Sequence, residues 1–404
     1  MVSLQDLKFL EEEVIENYKQ LHRHPEVGFT EFWTAEYIYQ ELTRYGIPAR
    51  KVLGGVGVIG DITGAKPGLR VALRADIDAL PIQEGDDLDY KSENAGVMHA
   101  CGHDSHAAML LGAAHYLQLH KDELEGSVRL IFQPSEEGMS VEGRIFAKAH
   151  GGAHEGGAAS MVNVGCMEGV DKVFGVHCDP SQSVGHIRIA RDRAMAACFR
   201  FDLIIKGKGG HGAMPDRAVD PVGALAAILA AYNGLPAREF SAIDTIVLTV
   251  GNISTNSSWN IIPEYFHVSG TTRTFNDQIS EDLNVRMKEL AEGICAAHRC
   301  TAEFKADRMA IATINHPEYS QKMADMACKL WGEGHGVVTD IPLMGAEDVA
   351  YMLNKAPGTF GFLGCKIEDG VARAHHNPNF KINLDMLLHG VQLHVNMAMT
   401  ECKN

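Results

Sequence analysis

The chain has 404 residues, of which 46% are hydrophobic and 22% are charged, and its formal net charge is −16. This length exceeds what one ordinary hydrophobic core needs and predicts two domains, while the composition is that of a soluble globular protein. The acidic balance argues against a nucleic-acid partner, because phosphate backbones repel a negatively charged surface.

The first half of the chain predicts helices that alternate with strands. Helices are expected at 3–22 and 30–45, where apolar residues recur at three- and four-residue spacing. The first helix is acidic and lacks the basic start and the apolar run of a secretory signal. Further elements are a strand at 69–76, a helix at 103–119, and strands at 127–133 and 172–177. This alternation predicts an α/β domain whose sheet has parallel portions.

A different order of elements begins near residue 195. The pattern predicts strand, helix, strand, strand, helix and strand at 198–207, 218–235, 243–253, 265–275, 279–298 and 300–308. This order is a split βαβ unit of the ferredoxin-like type. The chain then returns to a helix at 318–332, a strand-like run at 359–364 and a last helix at 383–399. We therefore predict a two-domain α/β fold, in which a main domain with a mixed sheet (1–192 and 310–404) is interrupted by a ferredoxin-like satellite domain (193–309).

The cysteines and the apolar runs indicate a compartment. No apolar run approaches the roughly 18 residues of a membrane span, so we expect no membrane partner. The nine cysteines are scattered and odd in number. They favour a reducing cytoplasm over a disulfide framework.

Cys101 and His103 lie two residues apart in the sequence HACGHD at 99–104. A thiolate and an imidazole at this spacing can bind one metal ion together, although such a pair is more often a buried cysteine beside a structural histidine. Asp104 follows directly. We expect Asp104 to cap the helix that begins there, with orientation of His103 as the alternative.

Acidic side chains and a histidine follow three predicted strands. Asp76 and Asp78 follow the strand at 69–75, Glu136 and Glu137 follow the strand at 127–133, and His177 ends the strand at 172–176. In open α/β sheets, sites form beyond the carboxyl ends of the strands. Adjacent carboxylates point in different directions, so one glutamate can bind a metal ion while the other takes a proton from water.

Seven segments together closely resemble one family of metal-dependent amidohydrolases. They are LHRHPE (21–26), RADIDALPI (74–82), HACGHDSHAAMLLGAA (99–114), VRLIFQPSEEG (128–138), GKGGHGAMPD (207–216), GTTRTF (270–275) and HHNP (375–378). The family includes hippurate hydrolase, indole-acetyl-amino-acid hydrolases and aminobenzoyl-glutamate hydrolase, and is related to aminoacylase and to glutamate-releasing carboxypeptidases. The resemblance runs from about residue 6 to residue 398 and is specific for the family rather than for the substrate.

The resemblance implies a centre of two divalent ions, Zn or Mn, with Co or Ni as alternatives. The ligands would be Cys101, His103, Glu137, His177 and one histidine of the late pair. For that pair, the family pattern His-x-Pro selects His376 over His375. Glu136 would be the general base.

The resemblance also assigns roles in the satellite domain, which would act in dimerisation and as a lid. His211 would stabilise the oxyanion, often in the site of the partner subunit. Arg273 would bind the substrate carboxylate as a fork, and Asn260 would receive other polar groups of the substrate. We expect a homodimer through this domain, because its sheet offers an edge strand for pairing.

The resulting hypothesis is hydrolysis of small N-acyl amino acids in the cytoplasm, yielding a free amino acid and a carboxylic acid. A dipeptidase or carboxypeptidase is the alternative among metal-dependent enzymes. A hydrolase with Cys101 as nucleophile would leave the paired glutamates without purpose, and a non-catalytic binding protein would be expected to lack a ligand or the base. The Gly- and His-rich segment 138–165 either lines the rim of the pocket or forms a surface loop.

Overall fold

Residues 1–85 and 88–403 are described by the computed structural model, and the chain divides into two units. Unit 1 comprises Met1–Ala194, Ile314–Pro342 and Asp348–Asn404, and unit 2 comprises Met195–Thr313 and Leu343–Glu347. The chain therefore leaves unit 1, builds nearly all of unit 2, and returns. The longer segment of unit 2 begins near the predicted satellite limit at 193 and ends near that at 309.

The chain up to residue 195 begins with helices and continues with alternating strands and helices. Its elements are α1 (Leu4–Leu7), α2 (Glu11–Arg23), α3 (Phe32–Arg44), β1 (Ala49–Val52), β2 (Gly57–Thr63), β3 (Lys66–Asp76), α4 (His103–Leu119), β4 (Glu125–Gln133), α5 (Val141–Ala149), α6 (Gly157–Asn163), β5 (Lys172–Asp179), β6 (Ile187–Ala190) and β7 (Arg193–Met195). A 3-10 turn at Lys8–Leu10 interrupts the helix predicted over 3–22. At this turn Leu7 and Leu10, three residues apart, are both buried, because side chains at this spacing eclipse in a 3-10 turn.

The rest of the chain contains the elements of unit 2 and the second part of unit 1. These elements are β8 (Ala197–Lys206), β9 (Gly210–His211), α7 (Val222–Glu239), β10 (Ile246–Ser254), β11 (Ile261–Ile262), β12 (Tyr265–Thr274), α8 (Asp277–Ala297), β13 (Thr301–Ala310), β14 (Thr313–Ile314), α9 (Pro317–Trp331), β15 (Gly336–Thr339), α10 (Ala350–Leu353), β16 (Gly358–Gly364) and α11 (Met386–Glu401). Two further 3-10 turns lie at Leu53–Gly55 and Pro215–Arg217.

Unit 1 is built on a mixed eight-stranded sheet with the order β1-β2-β4-β3-β5-β16-β6-β15. The strands β4, β3, β5 and β16 are neighbours and run parallel to one another. β1, β2 and β6 introduce the antiparallel pairs. The predicted mixed sheet is confirmed.

Alternating side chains of the large sheet enter two separate cores. In β3, Val71, Leu73 and Ala75 pack into the core that includes α4 and α11. Ala72 points to the opposite face and packs with Ala158 of α6. Successive side chains of β3 thus point into helix-covered cores on opposite faces of the sheet. Unit 1 therefore has three layers: helices, sheet and helices.

Unit 2 is a four-stranded antiparallel sheet with the order β10-β12-β8-β13. Phe201, Leu203 and Ile205 of β8 pack against Ile228 of α7 and Met287 of α8. The predicted β-α-β-β-α-β order is therefore confirmed, with α7 and α8 on one face. We call the opposite face, which no helix of unit 2 covers, the open face.

The Gly- and His-rich segment 138–165 folds into α5 and α6 rather than into a loop. The Ser140 side chain accepts the backbone N–H of Gly143 at 3.0 Å and caps α5. Among the described residues, no helix is both long and apolar enough to span a membrane.

Candidate metal centre

Chemically active side chains follow the carboxyl ends of the four parallel strands of unit 1. Asp76 ends β3, Glu136 and Glu137 follow β4, and His177 lies near the end of β5. His376 follows β16 after a loop. Because Asp76 is in register with Gln133, and Gly364 with Asp179, these ends meet at one edge of the sheet.

Cys101 and His103 lie where the chain enters α4. Gly102 between them has a φ of 85°, and a Cβ at this position would lie 2.4 Å from the Cys178 sulfur. Glycine meets both demands without rearrangement. Cys101 Sγ lies 3.5 Å from His177 Nε2, and the donor atoms of Cys101, His103 and His177 all lie within 4.8 Å of one another. Three buried donors of this kind can hold one metal ion.

A second group of donors contains the same thiol. The donor atoms of Cys101, Glu137 and His376 also lie within 4.8 Å of one another, with 3.0 Å between Glu137 Oε1 and His376 Nε2. Glu136 lies beside this group, since its carboxylate, that of Glu137 and the His103 ring form a further cluster within the same limit. Cys101 therefore stands between two sets of potential ligands.

The hydrogen bonding of His103 fits a metal ligand. Its Nδ1 lies 2.9 Å from the Asp78 carbonyl oxygen and 3.1 Å from Asp78 Oδ1, so Nδ1 carries the proton and donates it. Nε2 then presents a lone pair, and this buried atom makes no hydrogen bond. Metal-bound histidines have this arrangement, in which the second nitrogen donates to an oxygen.

The surroundings also show why these donors need a cation. Burial raises the pKa of the Cys101 thiol to about 11, and a bound metal ion is the kind of charge that converts such a thiol to thiolate. Burial disfavours the charged form of Glu137 as well. The hydrogen bond and the electrostatic attraction from His376 outweigh that effect and lower the pKa of Glu137.

A buried polar network supports the end of β5. The Cys178 backbone N–H donates to His106 Nε2 at 2.9 Å, so Nδ1 carries the His106 proton and donates it to Asp76 Oδ1 at 2.5 Å. Arg74 donates to Asp76 Oδ2 at 2.9 Å and to Asp348 Oδ1 at 3.2 Å. Both nitrogens of His106 are thus engaged in hydrogen bonds, and the ring holds the chain beside His177. Sequence reasoning assigned no role to Arg74 or Asp348.

The two late histidines have different surroundings. His375 Nε2 lies 3.1 Å from the Cys178 carbonyl oxygen, and its ring lies against that of His177 at 5.0 Å. The backbone N–H of His376 donates to Ala100 at 2.8 Å, and its side chain reaches Glu137. This geometry favours His376 over His375 as the potential metal ligand.

The expectation that Asp104 is the N-cap residue of α4 is wrong, although its Oδ1 accepts the backbone N–H of Ser105 in the first turn at 2.8 Å. The N-cap position belongs to Gly102, and Asp104 Oδ2 instead lies 2.6 Å from His22 Nδ1, while Glu84 Oε1 lies 3.1 Å from His22 Nε2. Burial opposes protonation of His22, but its hydrogen bonds to Asp104 and Glu84 prevail and raise its pKa to about 9. His103 is oriented by Asp78, so the alternative role for Asp104 is wrong too.

The remaining predicted site residues belong to unit 2. His211 lies on β9, is exposed, and lines a cavity of about 460 Å³ with Asn256, Ser257 and Glu264. Asn260 pairs with this segment, since its carbonyl oxygen accepts the Gly212 N–H at 2.9 Å. Arg273 is half-buried on β12, opposite Cys198 of β8, on the open face of the sheet.

Two donor groups that share a thiol, beside adjacent carboxylates at the carboxyl edge of a mixed sheet, are the arrangement that a metal-dependent hydrolase requires. Residues 72–400 match the model of peptidase family M20/M25/M40. The chain belongs to this family.

Relatives of known name or structure match nearly the whole chain. Thermostable carboxypeptidase 1 of Saccharolobus solfataricus is 36% identical over 98% of this chain and 96% of that protein. IAA-amino acid hydrolase ILR1-like 2 of Arabidopsis thaliana is 36% identical over 95% of this chain and 84% of that protein. The crystal structure of the Bacillus subtilis YXEP protein, described as a dinuclear metal binding peptidase, has a TM-score of 0.80, 31% identity and coverage of 98% of this chain and 99% of that chain. The chain is a metal-dependent amidohydrolase of this family.

Proposed function

We propose that this chain hydrolyses the amide bond of N-acyl amino acids at a centre of two divalent ions. The observation that carries the proposal is the membership of Cys101 in two donor groups, one with His103 and His177 and the other with Glu137 and His376. A thiolate between two ligand sets suits a bridged pair of ions. The two products are a carboxylic acid and a free amino acid.

The donor chemistry favours particular ions and a reducing compartment. Thiolate and imidazole suit Zn, and Mn, Co and Ni are the alternatives. When bound, the ions polarise the scissile carbonyl and lower the pKa of the attacking water. Cys101 must stay reduced to bind a metal ion. The chain's nine cysteines are all free thiols, which supports the proposed cytoplasmic location.

The protein side chains complete the reaction. Glu136 accepts a proton from the attacking water and passes it to the departing amine nitrogen. His211 stabilises the negative oxygen that develops during attack. Arg273 binds the carboxylate of the substrate through its planar fork, and Asn260 receives other polar groups.

A carboxypeptidase or dipeptidase is the second candidate. It is favoured by the relative named Thermostable carboxypeptidase 1, which matches 98% of this chain. Turnover of N-acetyl, N-benzoyl and N-indoleacetyl amino acids and of dipeptides, each with and without chelator, separates the two candidates. Chelator-sensitive cleavage of acylated amino acids but not dipeptides supports the first proposal, and the reverse preference supports the second.

Replacement of Arg273 by alanine should raise KM roughly 10- to 100-fold for substrates with a free α-carboxylate, because a charge-assisted bidentate pair is lost. KM for the corresponding amides should change much less. Steady-state kinetics on matched acid and amide substrates measures the difference.

Arg200→Ala is the matched control for this experiment. Arg200 lies on β8 on the same open face of the sheet and pairs with Asp202 at 3.1 Å. Its loss should leave both values of KM unchanged. Equal effects of Arg273→Ala on acid and amide would show that Arg273 has only a structural role.

We further propose a homodimer that forms through unit 2. β10 is an edge strand of the four-stranded sheet, and edge strands carry unpaired N–H and C=O groups. Large apolar side chains are exposed on and near it, namely Ile253 (45%), Trp259 (95%) and Ile261 (51%). A second copy of the chain would cover these groups.

In this dimer His211 acts in the site of the partner subunit, and a mixing experiment tests that arrangement. His211→Ala and Glu136→Gln should each be inactive alone. Hybrid dimers formed by subunit exchange regain one intact site, so activity should approach half that of the wild-type dimer. No recovery in proven hybrids would place His211 in its own subunit's site or outside catalysis.

A further inference from the structure

Glu31 is a buried carboxylate that lies against the turn carrying Glu136 and Glu137. We call residues 134–138 the glutamate turn. Glu31 is 0% exposed, and its Oε1 accepts the backbone N–H of Ser135 at 2.8 Å. Ser135 directly precedes Glu136, so this hydrogen bond fixes the chain one residue before the proposed base.

Glu31 does not serve its own helix. It occupies the N-cap position of α3 but makes no side-chain capping hydrogen bond. The Glu26 carboxylate takes that role and accepts the N–H groups of Trp33 at 3.2 Å and Thr34 at 2.9 Å. Burial of a carboxylate is costly unless its oxygens are hydrogen-bonded. The hydrogen bond from the glutamate turn satisfies Oε1, whereas the buried Oε2 makes no hydrogen bond within the described residues. The turn therefore supplies the tertiary contact that offsets part of the cost of this burial.

The backbone of the glutamate turn is strained at the residue that Glu31 holds. Ser135 has a φ of 53°, in the left-handed region that non-glycine residues seldom adopt. Its carbonyl accepts the Gly157 N–H at 3.1 Å, and its hydroxyl donates to the Gly138 carbonyl at 2.9 Å. Gly28 packs so closely that a Cβ there would lie 2.4 Å from the Gly138 oxygen. Strained residues persist only where several contacts hold them in place.

A second buried carboxylate holds the other side of the proposed base. The backbone N–H of Glu137 donates to Asp78 Oδ2 at 2.9 Å. Glu31 and Asp78 thus bracket Glu136, one at the residue before it and one at the residue after it. Asp78 also orients His103, whereas Glu31 contacts no proposed metal ligand in the hydrogen bonds described.

We propose that Glu31 is a positioning residue for catalysis, which aims the Glu136 carboxylate by holding Ser135 in its left-handed conformation. The inference rests on the proposed function, in which Glu136 is the general base. A base displaced by about 1 Å can lose on the order of 100-fold in rate without any loss of substrate binding.

The test compares Glu31→Leu with Glu31→Gln. Leucine removes the acceptor and should lower kcat on the order of 100-fold, with KM and metal content close to wild type. Burial and the charge of Asp78 raise the pKa of Glu31, so glutamine resembles its protonated form and keeps an acceptor for Ser135. The Glu31→Gln variant should therefore keep most of the wild-type kcat, in contrast to Glu31→Leu.

Glu401→Leu is the control for loss of a buried carboxylate. Glu401 is 4% exposed and pairs with Lys172 at 2.8 Å, with no hydrogen bond to the glutamate turn. The Glu401→Leu substitution should lower the unfolding temperature and leave kcat unchanged. If Glu31→Leu does not fold, Glu31→Asp, which withdraws the carboxyl by one methylene, carries the same expectation.

Three outcomes would overturn the inference. They are an unchanged kcat in the leucine or aspartate variant, a parallel loss of metal and activity, and a glutamine variant as poor as leucine. Failure of the proposed function looks different, because the wild-type protein would then show no chelator-sensitive turnover of any acylated amino acid or dipeptide.

Discussion

Glu136→Gln is expected to lower kcat on the order of 1,000-fold while the protein keeps its full metal content. The amide has the shape of the carboxylate but cannot accept the proton of the attacking water, and general-base catalysis contributes factors of this size. Glu136 is half-buried in the middle of the glutamate turn that follows β4, so an isosteric change should not disturb the fold. Steady-state kinetics and elemental analysis of the same preparation provide the measurement.

Glu137→Gln should give the opposite result. Its Oε1 lies 3.0 Å from His376 Nε2 within a donor group that includes Cys101, so loss of the charge should weaken metal binding first. Activity should return as the metal concentration is raised. Glu142→Gln, an exposed carboxylate on α5, should change neither property. Normal metal binding and normal activity in both the Glu136 and Glu137 variants would contradict the division of roles.

Removal of metal by a chelator should abolish hydrolysis, and a divalent ion should restore it. The motivation is the set of donors at the carboxyl edge of the sheet, with Cys101 common to two groups. Reconstitution with Zn, Mn, Co and Ni in turn, with activity per bound ion as the readout, ranks the candidate ions. The unfolding temperature should rise on reconstitution, because an ion that binds only the folded state stabilises it.

Full activity in protein shown by elemental analysis to be free of metal would refute the two-metal proposal. A rise in unfolding temperature without recovered activity would point to a structural ion instead. Cys101→Ser, which keeps the shape of the side chain but weakens the ligand, should lower both the stabilisation and the activity.

The fold could be predicted wherever a periodic pattern ran for several turns or pleats. The helix expected at 103–119 is α4, and the six elements expected after residue 195 are the strands and helices of unit 2. Elements of two to four residues, such as β9, β11 and β15, contain too few repeats for a pattern to be recognised. The segment 138–165 was ambiguous because its glycines obscured two short helices.

Glu137 and His177 could be singled out from the sequence because they lie beside strand ends, and Cys101 and His103 because of their spacing. The complete set of candidate ligands, including His376, came from the resemblance to the amidohydrolase family. The residues that hold these ligands could not be found in either way. The hydrogen-bonded pairs are far apart in the sequence: Asp104 and His22 are separated by 82 positions, Ser135 and Glu31 by 104, and Arg74 and Asp348 by 274. Contacts of this kind depend on which strands become neighbours in the sheet, and a single sequence carries no local signal for that.

β16 lies between β5 and β6 in the large sheet, although it follows every residue of unit 2 in the chain. During synthesis, the four strands of unit 2 therefore leave the ribosome while the larger sheet still lacks an inner strand. Until β16 arrives, β5 and β6 expose edges that invite pairing with other chains. We expect ribosome-bound chains that end after β15 to resist proteolysis in unit 2 and to be cut in unit 1. Synthesis of the last sixth of this polypeptide would then be the step that completes the large sheet and closes its open edges.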